Sequence, residues 1–355
     1  MNQTALLQIA ERLERLAGRL PSKIRKAVLS ELTPLKQLFL QQRPPRFLFI
    51  GSSKMPMQQI INTLFAPGVQ EQTNVAVMPV HRWTDWNIPG RGTISVLDAR
   101  EASDFVETQV EEDLKRQPAD IIFFFDDGEL DLQKLPASAE VKIVGVSVGP
   151  GKRVAQLVEA LKAQPAMRDR LLSVVPLTGE ASTETQRLMS VLAKQLPNEA
   201  KVEMIRISRD RDAQHHVAHI LVKSTTAICT AIGTQPIPLA DLPILTSLQL
   251  MMISGIMHIS GRERSLRAAT EFVGALGANV GAALLLREGA RAILKFFPGW
   301  GNVVCGLVAG SGTYGIGRAA TAFFIDGVSL KAARQTYFRS RKKRRLLHEA
   351  ARTPS

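Results

Sequence analysis

Apolar positions recur along this chain in three different ways, and each marks a different kind of structure. Over residues 4–20, Leu6, Ile9, Leu13, Leu16 and Leu20 alternate by three and four, which puts them on one stripe of a helix. Pro21-Ser22 stops that helix and caps the next, and Thr33-Pro34 repeats the device with Thr as N-cap and Pro in the first turn. Residues 1–45 therefore read as two or three amphipathic helices with basic outer faces, packed on a neighbouring domain. Arg43-Pro44-Pro45 marks a boundary. From Phe47 onward short apolar runs alternate with amphipathic stretches. The runs Phe47–Ile50, Val75–Trp83, Thr93–Asp98, Ile121–Phe125, Val141–Ser147 and Leu171–Pro176 are the expected strands. Helices are expected around 56–65, 102–116, 152–163 and 181–196. Such a sequence predicts a buried, mainly parallel sheet covered on both faces, with an antiparallel edge pair in the 75–98 region, where no helix intervenes.

Beyond about residue 200 the strand pattern ends. Residues 210–230 read as one helix, and 231–330 are rich in Gly, Ala, Leu and Ile. From Ser224 to Gly261 there is no Lys or Arg and a single acid, Asp241. The expected organisation is thus N-terminal helices over 1–45, an α/β domain over 46–200, an all-α domain over 201–330 and a basic tail over 331–355.

Composition narrows the function classes. A chain of 355 residues accommodates two ordinary domains. Its two cysteines, Cys229 and Cys305, form no C-x-x-C pair, which excludes a disulfide scaffold and a cysteine zinc site and fits a reducing, cytoplasmic compartment. The segment MNQTALLQIAERLERL carries acids within its apolar pattern and no continuous apolar run, which argues against a secretory signal peptide.

Charge adds a location. The net charge is +13, of which residues 1–46 contribute +6 and residues 331–355 contribute +8. Two basic ends flank a near-neutral body, and such ends attract phosphates of lipid headgroups or of nucleic acid. The densest run contains Arg339, Arg341, Lys342, Lys343, Arg344 and Arg345. Tyr337 and Phe338 stand beside it but no aromatic is interleaved, and aromatics make up 5% of the chain. Platforms for base stacking are absent from that pattern, so an anionic membrane surface is the expected partner of this run and nucleic acid is not.

The first expected strand runs directly into Gly51-Ser52-Ser53-Lys54-Met55-Pro56-Met57-Gln58 and then a helix. That is where a phosphate loop belongs. Its chemistry needs G-x-x-x-x-G-K-[ST], in which glycine amides wrap phosphates, the lysine meets the β/γ-phosphates and a hydroxyl binds Mg²⁺. Here Gly51 alone fits. Pro56 replaces the second glycine and removes an amide donor, Met57 replaces the lysine, and Gln58 replaces the hydroxyl.

On these residues the chain resembles, over roughly 46–197, an Era-like GTPase domain of the P-loop superfamily. The resemblance implies an α/β P-loop GTPase-like sheet domain, and it implies further motifs that this chain lacks. Asp98-Ala99-Arg100-Glu101 stands where the family has D-x-x-G, which leaves Asp98 as a remnant of the metal site. Ser147-Val148-Gly149-Pro150 stands where N-K-x-D would read guanine. The segment Val174–Glu180 still looks like the family's last motif, beside the base. A degenerate GTPase, or pseudo-GTPase, is the expectation, with no cofactor. Its alternative is a residual switch that binds GTP or GDP with Mg²⁺ through Asp98, Lys54 and the Pro176–Glu180 loop.

The stretch from Pro236 to Ile253, PIPLADLPILTSLQLMMI, resembles the start of a bacterial helical domain, the domain-of-unknown-function family 697, which commonly follows Era-like GTPase domains. Residues 225–330 fit that family, including Pro298-Gly299-Trp300-Gly301. The family carries no established biochemistry. Leu242–Gly261 and Phe296–Gly317 are uncharged runs, the first long enough to span a bilayer. A two-span hairpin would export 262–295, with six Lys/Arg against three Glu, which opposes translocation. A bundle seated on the cytoplasmic leaflet fits better than spanning, and core helices of a bundle away from any membrane remain open.

Other constellations point to ordinary structure. His215, His216 and His219 lack the general base of H-E-x-x-H, and Asp126-Asp127 has the pattern of a strand-ending acidic turn. Gly306 and Gly310 have the spacing of close helix packing. No nucleophile, base and orienter assemble, so no catalytic residue is expected. The reading is a membrane-associated, non-enzymatic adaptor with an unidentified protein partner.

Overall fold

The computed structural model describes residues 11, 14, 15, 18, 21–65, 82–100, 104–128, 141–148, 152–177, 183–234, 242–277 and 300–350. The chain divides into two compact units. One is Gln42–Ala213, and the other joins Met1–Gln41 to Gln214–Ser355.

The first unit holds β1 (Arg46–Gly51), α2 (Met57–Leu64), β2 (Trp83–Ile88), β3 (Gly92–Asp98), α3 (Asp104–Arg116), β4 (Ile121–Asp126), β5 (Lys142–Val148), α4 (Lys152–Ala163), α5 (Pro165–Arg168), β6 (Leu171–Leu177), α6 (Thr183–Gln195) and α7 (Asn198–Ser208). The strands form one sheet in the order β2-β3-β1-β4-β5-β6. All pairs are parallel except β2 with β3, which is antiparallel. The Phe47–Ile50 core of β1 and the Ile121–Phe125 core of β4 are apolar without a break because both faces of the sheet are covered. Odd positions of these strands meet on one face, where Phe47, Phe49, Phe65, Phe123 and Phe125 form a run of ring contacts. Even positions, with Leu48, Ile50, Ile122 and Phe124, join Leu97, Leu157 and Leu161 on the other face.

Two elements differ from the sequence reading. The second strand begins at Trp83, where the expected strand Val75–Trp83 ended, and 75–81 lie outside the described residues. Its sequence, WTDWNI, alternates because an edge strand needs apolar side chains on its core-facing side alone. Asp85 and Asn87 are exposed, while Trp86 and Ile88 are buried. Helix α7 was not anticipated, although it buries Ala200, Val202, Met204, Ile205 and Ile207.

The second unit is helical: α1 (Ser22–Phe39), α8 (Arg211–Gly233, which begins at the end of the sheet unit), α9 (Leu242–Ile259), α10 (Leu266–Gly277), α11 (Trp300–Phe324) and α12 (Leu330–Ala350). Helix α1 continues through Pro34, so Thr33-Pro34 does not start a new helix. The Thr33 hydroxyl donates to the Leu29 carbonyl at 3.1 Å. A buried stripe of Val28, Leu32, Leu35 and Leu38 runs unbroken past the proline, and burial along that face outweighs one missing backbone bond.

No helix among the described residues is long and apolar enough to cross a membrane. The physical reason for the apolar run of Leu242–Gly261 is visible in α9. Its residues Met251–Met257 are buried on every side, so the helix is apolar all round because it is the centre of the bundle. Phe39 of α1 lies against Gly255, and the Glu31 carboxylate accepts from the Ser224 hydroxyl of α8 at 2.6 Å. The spacing of Gly306 and Gly310 lets α11 approach α8, where side chains on those glycines would run into Thr230 and Thr234.

Candidate functional site

In an open α/β sheet, ligands bind beyond the carboxyl ends of the strands where the strand order reverses. Here that point is β1, with β3 on one side and β4 on the other. Its carboxyl end is the Gly51–Gln58 segment anticipated from the sequence.

Gly51 has φ +99°, and a Cβ there would overlap the Phe125 carbonyl oxygen. Both facts confine this position to glycine. The Ser52 amide donates to that same carbonyl at 2.9 Å, which prolongs the β1–β4 ladder by one bond. The loop then turns its side chains onto β4. The Ser52 hydroxyl donates to Asp127 Oδ2 at 2.9 Å, and Lys54 Nζ lies 2.6 Å from that same oxygen. Lys54, the residue available to replace the missing phosphate lysine, is thus paired with Asp127. Pro56 occupies the N-cap of α2 without a side-chain cap, and Met57 and Gln58 form the first turn.

At the end of β3, Arg100 folds back on Asp98. Its Nε lies 2.8 Å from Asp98 Oδ1 and its Nη2 lies 2.9 Å from Oδ2. The remaining nitrogen, Nη1, donates to the Met55 carbonyl at 2.8 Å. The guanidinium also stands 5.6 Å from the centre of the Phe125 ring, and its side chain is only 5% exposed. A planar fork on a carboxylate is the strong form of this pairing. Arg100 therefore ties β3, the loop after β1 and β4 together. Both oxygens of Asp98, the expected metal remnant, face the guanidinium.

At the end of β4, Asp126 is buried and accepts from the Gly128 amide at 3.1 Å. Arg153, from the first turn of α4, donates to the Asp127 carbonyl. Ser147, in register with Asp126 on β5, is fully buried. Among the described residues this edge holds Lys54, Arg100 and Arg153 against Asp98, Asp126 and Asp127, three cations and three carboxylates. Glu101, Gly149, Pro150 and Thr178–Glu180 lie outside the described residues.

The sequence reading quoted Arg100 without a role, took Asp126-Asp127 as a turn, and did not single out Arg153. The signal was present in the topology. β1 and β4 pair with Gly51 opposite Phe125, which brings the residues just after each strand side by side.

Comparison with known proteins adds little to this geometry. No family model matches the chain, and no curated protein does. The resemblance of the helical region thus rests on its residues alone, and Pro236–Asp241 lie outside the described ones. Among solved structures, the chain is similar to an Aquifex aeolicus Era variant bound to GDP·AlF4−. The two are 16% identical, the match covers 52% of this chain and 67% of that one, and the TM-score is 0.31. A likeness of that size speaks to neither ligand nor activity.

The second candidate site is electrostatic. The sheet unit carries 21 Lys/Arg and 23 Asp/Glu, and the helical unit 24 and 9, so their net charges are −2 and +15. The two basic ends, far apart in sequence, belong to one compact unit. The run Arg339–Arg345 lies within α12, and Arg339 is exposed. His215 Nε2 lies 2.7 Å from Asp326 Oδ1, so this histidine faces a carboxylate at the turn between α11 and α12. Among the described residues no three His, Cys, Asp or Glu assemble into a metal-binding group.

Proposed function

We propose that the sheet unit is a GTPase-like platform without nucleotide chemistry and that the helical unit holds the protein on an anionic membrane surface. The sheet unit would then present itself to a protein partner at the cytoplasmic face. The observation that carries this reading is the closure of the nucleotide edge by the chain's own side chains. Lys54 answers to Asp127, and Asp98 answers to Arg100, which also holds the Met55 carbonyl.

A magnesium nucleotide needs a surplus of positive charge, free amides and an available carboxylate. The residues present do not fit that demand. Among the described residues the edge is charge-balanced, Pro56 contributes no amide, and Met57 and Gln58 supply neither ammonium nor hydroxyl. Each charge-assisted contact contributes about 1.5–3 kcal/mol, so the loss of several removes micromolar affinity.

Support for the membrane half is the +15 of the helical unit. Basic residues near an anionic bilayer contribute about 1 kcal/mol each, enough for stable association without any spanning helix. Flotation of the full-length chain with neutral and with anionic vesicles tests it. The protein is expected to rise with anionic vesicles and to be released by high salt. Protein that stays at the bottom of both gradients would defeat the membrane half.

A further inference from the structure

Among the described residues, the exposed large apolar side chains are Leu29, at 38%, and Phe338, at 47%. Both belong to the helical unit, and both have cations beside them. Phe338 is the more informative. On α12 the inward positions are Ala333 and Tyr337, both buried, with Tyr337 against Gly315 of α11. Helical spacing continues that inward stripe with Ser340, which is half-buried. Phe338 lies a third of a turn away. In sequence, Lys331 stands seven residues before it, and Arg341, Lys342 and Arg345 stand three, four and seven residues after it, the intervals at which helical residues share a face. The Phe338 side chain touches the Tyr337 ring edge-on, with centroids 5.2 Å apart.

An exposed phenylalanine within a cationic stripe is stable in water only at the cost of its hydration. It gains where phosphates and hydrocarbon meet, because the cations stay with the phosphates while the ring leaves water. We propose that Phe338 is the interfacial anchor of this protein, entering the boundary between headgroups and acyl chains of an anionic bilayer while the surrounding lysines and arginines hold the headgroups. This deepens the membrane reading above and rests on it. Leu29 repeats the combination on α1, where Arg25 and Lys26 share its exposed face with Ser22, Ser30 and Thr33. A polynucleotide would satisfy the same cations but offers no hydrocarbon to the ring, and a single phenylalanine at the edge of the run gives it no row of stacking platforms.

The test uses the full-length chain, vesicles of phosphatidylcholine with and without phosphatidylserine, and duplex DNA. Phe338→Ser is expected to bind anionic vesicles about tenfold more weakly, ~1.4 kcal/mol, with the salt dependence of the unsubstituted chain. Phe338→Leu restores most of the loss. Replacing Lys342 and Lys343 with Gln weakens binding and makes the salt dependence shallower. Should Phe338→Ser bind as well as the unsubstituted chain while the Lys342/Lys343 variant loses affinity, the anchor is overturned and the membrane reading stands. If the unsubstituted chain does not float with anionic vesicles, both are overturned. Stronger retention on DNA than on anionic vesicles at equal salt, with Phe338→Ser unaffected, also overturns the anchor and assigns the cations to nucleic acid.

Discussion

The guanidinium of Arg100 and the carboxylate of Asp98 meet in parallel, with contacts of 2.8 and 2.9 Å, across a single intervening residue. That pair decides what the carboxyl edge of the sheet can offer. It engages the expected metal remnant and, through the third guanidinium nitrogen, anchors the loop after β1.

Arg100→Ala should therefore destabilise the sheet unit, because it removes the guanidinium that answers a partly buried carboxylate and holds the Met55 carbonyl. Breaking a buried pair costs about 3–5 kcal/mol, reduced here to about 2–3 because Asp98 retains some solvent contact. Lys54→Ala, at an ion pair whose lysine is 62% exposed, should cost under about 1 kcal/mol. Urea unfolding of both variants checks the ranking, and equal losses would contradict it.

Gly51→Ala tests the approach of β1 to β4. A methyl group there requires an L-residue at φ +99° and overlap with the Phe125 carbonyl. A loss of about 2 kcal/mol or more is expected by chemical denaturation, against about zero if the loop simply shifts aside.

Gly310→Ala tests how α11 meets α8. The new methyl would collide with the Thr230 hydroxyl, so the substitution should destabilise the helical unit by about 1–3 kcal/mol. Thr230→Ala in the same chain should recover part of that loss. Additivity of the two changes would contradict the contact.

Asp210 supplies a pH dependence. Its burial raises the carboxyl pKa, but hydrogen bonds from the Ser190 hydroxyl and the Ala213 amide outweigh that, and the net direction is downward. A carboxylate lowered in the folded state stabilises the fold above its unfolded value, near 3.9. That contribution is lost as pH falls through the lower folded value. Asp210→Asn should thus be less stable than the unsubstituted chain at neutral pH, and the gap should close in strong acid. A gap that is constant with pH would show that Asp210 does not act through its charge.

The sheet was legible in the sequence wherever burial is two-sided. β1 and β4 announce themselves as Phe47–Ile50 and Ile121–Phe125 because nothing polar is tolerated on either face. The strand Trp83–Ile88 went unread beyond Trp83 because the apolar run Val75–Trp83 outweighed the half-polar WTDWNI, and an edge strand is half-polar by its position. α7 went unassigned for a related reason, since the pairs Val202/Met204 and Ile205/Ile207 each have a strand's two-residue spacing. The departure of Gly51–Gln58 from a phosphate-loop motif could be read directly from Pro56, Met57 and Gln58. The pairing of Lys54 with Asp127 could not, because the two are joined through the register of two strands rather than by spacing along the chain. The uncharged run over α9 is a membrane candidate by composition, and only its surroundings reveal a bundle centre. The even split of basic charge between the two ends likewise concealed that both ends belong to one unit.

Calorimetric titration of the full-length chain with magnesium GTP and magnesium GDP bears on the sheet edge without intermediaries. Saturable heat is predicted to be absent up to millimolar nucleotide. A saturable isotherm in the micromolar range would mean that Arg100 and Lys54 yield their partners to phosphate, and the account would be wrong.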